Sequence, residues 1–118
     1  METRERSWPG GLRATVTRPD GTVLVLRLEG EIDLATRPVL DELMQQVAAD
    51  PAIEHVIVDL TGVRFLAACG VRWLHRLRMQ PAARRMQVVV SPGPGSLRRV
   101  LALVDGFEIV DSSTEVHA

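Results

Sequence analysis

The stretch His55-Val56-Ile57-Val58-Asp59-Leu60-Thr61-Gly62-Val63-Arg64-Phe65-Leu66-Ala67-Ala68-Cys69-Gly70 decides how this chain folds. His55 to Leu60 is a nearly continuous β-branched run, the pattern of a strand buried on both faces or set in a parallel pairing. A helix is predicted to begin near Cys69 or Gly70, with Val71, Leu74 and Leu77 as its apolar seam, and to stop before Pro81. A strand followed by a helix calls for a crossover connection, which lays helices against a partly parallel sheet.

Upstream of this unit, residues 1–11 are polar, end in Trp8-Pro9-Gly10-Gly11, and read as a flexible arm. Arg13 to Arg18 is a short candidate strand closed by Pro19-Asp20-Gly21, where Asp-Gly tolerates positive φ at low cost. Thr22 to Glu29 is a second strand. Thr36 can cap a helix with Pro38 in its first turn, and Leu40, Leu43, Met44 and Val47 follow at helical spacing until Asp50-Pro51. Downstream, Met86 to Val90 is a buried strand and Ser91 to Gly95 a loop. Ser96 can cap a third helix carrying Leu97, Val100, Leu101 and Val104, and Phe107 to Val110 is a final strand. The order is ββαβαβαβ. It predicts one α/β domain over residues 12–110, with a mixed, mostly parallel sheet of about five strands and a polar tail from residue 111.

Composition narrows the function classes. The chain has 118 residues, enough for one domain with a real core, and 46% of them are hydrophobic, which argues against disorder. A formal net charge of −1 gives no electrostatic reason to expect nucleic acid. Aromatic residues make up only 3% of the chain, too few for base-stacking platforms. Every basic side chain is arginine. Cys69 is the only cysteine, so neither an internal disulfide nor an all-cysteine metal site can form. The charged residues 1–6 do not resemble a signal peptide, and no apolar run approaches the roughly 20 residues that cross a bilayer, so a cytoplasmic location is expected.

No enzyme reading takes shape. His55, His75 and His117 have no metal-ligand spacing, and no serine sits in a nucleophile elbow. The loop Ser91 to Ser96 is glycine-rich and precedes a helix, but it lacks a phosphate-binding pattern and has prolines where amide donors are needed. Glu29, Glu31 and Asp33 alternate along one stretch, which reads as a solvated face more readily than a cation site. No cofactor or metal is expected.

Two motifs carry a resemblance. Gly30-Glu31-Ile32-Asp33-Leu34-Ala35-Thr36 matches a Gly-Glu-hydrophobic-Asp-x-x-Thr pattern. Val58-Asp59-Leu60-Thr61-Gly62-Val63-Arg64-Phe65-Leu66 followed by Ala67-Ala68-Cys69-Gly70 is similar to a segment Asp-Leu-Ser/Thr-x-Val-x-Phe-hydrophobic-Asp-Ser-Ser/Thr-Gly. With the order of elements, the chain resembles the STAS family, best known for bacterial anti-sigma factor antagonists. The resemblance implies a non-enzymatic, protein-binding role. In the family, an anti-sigma factor that is also a histidine-kinase-like ATPase phosphorylates the serine after the second Asp, and only the unmodified antagonist captures it and frees the sigma factor. Here the Asp falls on Ala67, that serine on Ala68 and the next Ser/Thr on Cys69, so Ala68 leaves no hydroxyl for the switch. Thr61, Ser91 and Ser96 stay open as other phosphorylation positions.

The expected docking surface is Asp33, the Ala67-Ala68-Cys69-Gly70 loop and the following helix with Arg72, Trp73 and Arg76. Arg72 and Arg76 share a helix face off the apolar seam. Trp73 is also off the seam, and it reads either as an exposed hot spot or as a ring folded down over apolar surface. Cys69 reads either as a reactive thiol at a helix N-terminus or as a packed small residue. The resemblance leaves two other roles open: an accessory subunit of a membrane transporter or lipid-transport complex, and a small-ligand (nucleotide) sensor. A homodimer is compatible with any of these.

Overall fold

The computed structural model describes residues 2–8 and 111 in their backbone, and residues 11–80, 85–90, 101 and 108–110 in full. The elements run β1 (Glu2–Trp8), β2 (Leu12–Asp20), β3 (Val23–Ile32), α1 (Arg37–Ala48), β4 (His55–Leu66), α2 (Ala68–Arg78), β5 (Arg85–Val90) and β6 (Glu108–Asp111). They form one six-stranded sheet in the spatial order of the chain. β1, β2 and β3 pair antiparallel, and β3, β4, β5 and β6 pair parallel. The mixed α/β sheet is the one the sequence predicts, with a strand added at its edge. Residues 2–8, predicted as part of a loose arm, pair along their length with β2. The predicted loop Ser91 to Gly95 and the third helix lie outside the described residues, apart from Leu101, which is helical and fully buried.

Alternation along the strands sorts their side chains between two faces. Leu24, Leu26, Leu28, Val56, Val58, Leu60 and Val88 join Val39, Leu40, Leu43 and Val47 of α1 and Trp73, Leu74 and Leu77 of α2 in the main core. Both helices therefore cover the same face of the sheet. Val23, Ile57 and Val89 make a smaller cluster on the other face. Beside it, His55 Nε2 lies 3.0 Å from the Gln87 carbonyl oxygen, and the Gln87 amide donates to Glu108 at 3.0 Å. Because that amide donates to Glu108, its oxygen is left to accept, so His55 Nε2 carries the hydrogen.

One local reading is corrected by the geometry. The β2–β3 turn uses no positive φ at Gly21; positive φ occurs only at Gly11 and Gly30 among the described residues. The turn is closed instead by the Asp20 carboxylate, which accepts from the Thr22 amide at 2.7 Å and the Thr22 hydroxyl at 2.8 Å. Gly30 has φ 115°, and a Cβ there would stand 2.0 Å from the Gly11 carbonyl oxygen, so no larger residue fits where β3 passes the start of β2. No helix among the described residues is long and apolar enough to cross a membrane.

Candidate functional site

The two motifs meet at the C-terminal ends of the parallel strands β3 and β4, where open α/β sheets commonly place their sites. The register pairs Glu31 with Phe65 and Ile32 with Leu66. The Ala67 amide then donates to the Ile32 carbonyl at 2.8 Å, which ties the loop before α2 to the loop before α1.

Asp33 shapes the first loop. Its Oδ1 accepts from the Ala35 amide at 2.9 Å and the Thr36 amide at 3.2 Å. Thr36 is fully buried and is the N-cap residue of α1, but its hydroxyl does not cap the helix as predicted. It accepts from the Asp33 amide at 3.0 Å and, 3.2 Å from both the Glu31 and Asp33 carbonyls, donates to one of them. The motif's Asp and Thr are thus a clamp on the loop's shape, with the Asp side chain still half-exposed.

The second loop has no such clamp. Ala67 is the N-cap of α2, with extended backbone at φ −75° and ψ 167° and no side-chain oxygen to meet the free amides. Ala68 is exposed; Ala67 and Cys69 are half-buried. Gly70 is buried, and a Cβ there would come within 2.4 Å of Leu66 Cδ1 and 2.7 Å of Ile32 Cγ2. Its place in the motif reflects the close seating of α2 on the ends of β3 and β4, and it offers no surface to a partner.

Trp73 departs furthest from the expected docking set. It is 2% exposed, and its Nε1 donates to the Leu40 carbonyl at 2.7 Å. The ring fills the seam between α2 and α1, where Gln80 also donates to the Met44 carbonyl at 3.4 Å. The open choice for Trp73 is therefore decided in favour of packing, since an indole buries a large apolar area and its N–H finds a partner. Arg72 and Arg76 remain exposed on the other side of the helix.

Sequence reasoning missed two residues at this edge. Leu34 is 74% exposed and Phe65 is 53% exposed. Leu34 follows the end of β3, so the strand's inward alternation no longer governs it. Phe65 is turned out because Gly30 and Glu31 are opposed by Val63 and Phe65, leaving Arg64 as an extra residue on β4. The bulge resets the alternation, and Leu66 packs against the core in place of Phe65. A Phe set against small residues at a strand end was the available signal. The site thus presents two apolar side chains around an alanine-rich helix start.

A shallow, open polar groove of about 300 Å³, lined by Gly11, Arg13, Glu29, Gly30, Gly62 and Arg64, lies nearby. Glu29 and Asp33 are engaged separately: Glu29 pairs with Arg27 at 3.6 Å, and Asp33 holds its own loop. Among the described residues no three metal-ligating side chains are gathered.

Comparison with known proteins places this geometry. The family model for the STAS domain matches residues 13–118. The anti-sigma-F factor antagonist RsfB of Mycobacterium tuberculosis is 38% identical over 68 residues, covering 58% of this chain and 54% of that protein. The match thus spans about half the length of this curated relative. The crystal structure of an anti-sigma factor antagonist from Mycobacterium paratuberculosis superposes with a TM-score of 0.72 at 29% identity, over 89% of this chain and 90% of that one. The Bacillus cell fate determinant SpoIIAA in its phosphorylated form shares the fold, with a TM-score of 0.67 at 18% identity over 84% and 90% of the two chains. With the two motifs joined at one sheet edge and the family model spanning residues 13–118, this protein belongs to the STAS domain family.

Proposed function

We propose that this chain is an anti-sigma factor antagonist that acts by binding and not by catalysis: it captures an anti-sigma factor and so releases a sigma factor, with no serine switch at Ala68. The observation that carries this reading is the exposed pair Leu34 and Phe65 flanking the Ala67–Ala68 loop. Large apolar side chains held out at the end of a sheet are what a partner interface uses as anchors. Asp33, Ala68 and Arg72 complete the surface, and Cys69 lies half-covered beside them. Trp73 belongs beneath this surface, as part of its support.

Ala68 is the first residue of α2, and it is exposed. A phosphate at that position would be tolerated by the helix dipole and free amides while changing the charge of the docking surface. Alanine removes that possibility and leaves an antagonist that is active whenever it is present, controlled by its amount or by chemistry elsewhere in the chain.

The test is affinity capture from the native cell lysate, with bound chains identified by mass spectrometry. Wild type is compared with a Leu34→Asp/Phe65→Ser variant. Recovery of an anti-sigma ATPase by wild type and its loss with the variant supports the proposal. Recovery of a permease or a transporter ATPase would move the chain to the accessory-subunit role. Incubation of the purified pair with ATP should leave residues 61–70 free of phosphate; phosphate within that range would overturn the claim that the switch is absent.

A further inference from the structure

Charge in this chain is segregated along the sequence. Between Asp59 and Asp105 there are eight of the arginines and no acidic residue, while the whole chain has a formal net charge of −1. The rest of the chain therefore carries a net nine negative charges at neutral pH, with histidines neutral. The fold collects part of the basic stretch on one helix face. On α2 and its C-cap Met79, Ala68, Arg72, His75, Arg76 and Met79 are exposed, as is Arg78, which lies off their arc. Spaced by three and four residues, they fall on one arc about 100° wide. Trp73, Leu74 and Leu77 occupy the buried side.

Four of the described arginines elsewhere are ion-paired, whereas exposed Arg64 on β4 and Arg78 on α2 have no acidic partner among the described residues. Arg18 pairs with Asp50, Arg27 with Glu29, Arg37 with Asp41 and Arg85 with Glu108. Among the described residues, neither Arg72 nor Arg76 has an acidic partner, and α2 supplies none of its own. Two guanidinium groups on one helix face, with no carboxylate beside them among the described residues, make a local positive field. This arc starts at Ala68, just after β4, at the same end of the sheet as exposed Leu34 and Phe65.

We propose that this arc of α2 docks an acidic surface of a protein partner, with Arg72 and Arg76 as the charge-reading residues and the Leu34/Phe65 edge as the apolar end of the same interface. The inference rests on the protein-binding reading above and adds the chemistry of the partner: carboxylates arranged along a helix-length strip, next to an apolar socket. A protein is favoured over a polyanion such as an anionic membrane or nucleic acid for two reasons. The basic arc runs into exposed apolar side chains at one end, and the remainder of the chain is net negative. An extended polyanion longer than the arc would run within the screening length, about 8 Å, of that net-negative remainder.

The experiment uses the purified full chain, isotope-labelled, and a short poly-glutamate peptide as the probe, followed by backbone amide shifts at low salt. Shifts concentrated in residues 68–79, lost in an Arg72→Glu/Arg76→Glu variant and retained in Arg85→Glu, support the proposal. Shifts centred on the Arg13/Arg64 groove, or unaffected by the double reversal, overturn it. Phosphatidylglycerol vesicles or duplex DNA binding more tightly than the peptide through the same residues overturn it in favour of a polyanion. Circular dichroism on both variants separates lost binding from lost fold. With the purified anti-sigma factor in place of the peptide, the double reversal is expected to weaken binding at least roughly tenfold and to flatten its salt dependence; unchanged affinity overturns the inference. If wild type binds no anti-sigma factor, the functional proposal fails, and the peptide footprint decides the basic arc by itself.

Discussion

Trp73, Ala67 and Ala68 show how single residues divide the work of the site. Trp73 is buried and donates a 2.7 Å hydrogen bond to the Leu40 carbonyl, so it couples α2, the helix of the proposed docking surface, to the rest of the core. Trp73→Ala is expected to cost about 3–5 kcal/mol through the cavity left between α2 and α1. Trp73→Phe, which keeps most of the ring and loses the N–H, should cost much less. Urea unfolding measures both, and a Trp73→Ala cost below about 1 kcal/mol would return the ring to the surface. Ala67 offers the opposite case. It caps α2 with extended backbone but no side-chain acceptor. Ala67→Asp should therefore stabilise the fold by about 1 kcal/mol by accepting from the first free amides of the helix. An unchanged unfolding midpoint would show that those amides are already satisfied. The natural alanine is thus a stability loss at a docking loop.

At the scale of elements, the loop pair stands on two different supports. The α1 loop is clamped by Asp33 and Thr36, while the α2 loop is held by the Ala67 amide bond to the Ile32 carbonyl and by the seating of Gly70. The far edge of the sheet has its own tie. Arg85 and Gln87 on β5 both donate to Glu108 on β6, at 3.2 Å and 3.0 Å. The hydrogen bond from Arg85, and next that from Gln87, hold the Glu108 carboxyl below its ordinary value of 4.5. A carboxyl whose pKa is lowered by folding contributes its stability above the ordinary value and loses it as pH falls through the lowered one. Melting temperature should therefore start to fall below about pH 4.5 partly through this group. Glu108→Gln should make the acid limb shallower, and amide protection of Ile109 and Val110 should drop with the wild-type limb. Identical pH profiles for the two proteins would exclude this tie. Asp20, lowered chiefly by the Thr22 amide, adds a loss of the same sign at more acid pH.

Across the whole molecule, the helices cover one face of the sheet and the site sits at one end of it, so binding and stability are largely separable. Leu34 and Phe65 are 74% and 53% exposed. Leu34→Asp/Phe65→Ser should change unfolding free energy by no more than about 1 kcal/mol while removing partner binding. Calorimetric binding next to urea unfolding checks both halves, and a large stability loss would mark these residues as structural. Much of this was legible beforehand. The run from His55 to Leu60, the periodicity of Leu40, Leu43 and Val47, and the two motifs that pointed to the family are local patterns, and local patterns report which face of an element is buried. They identified the mixed α/β fold and the crossover helices α1 and α2. They did not identify residues 2–8 as a strand, because an edge strand with charged residues lacks the apolar run that marks a buried one. Nor did they reveal which side of α2 Trp73 takes, the outward turn of Phe65, or which arginines lack an acidic partner among the described residues. Those depend on where α1 packs, where β4 bulges, and which carboxylates come within reach of each arginine, and such contacts between distant segments exist only once the chain has folded.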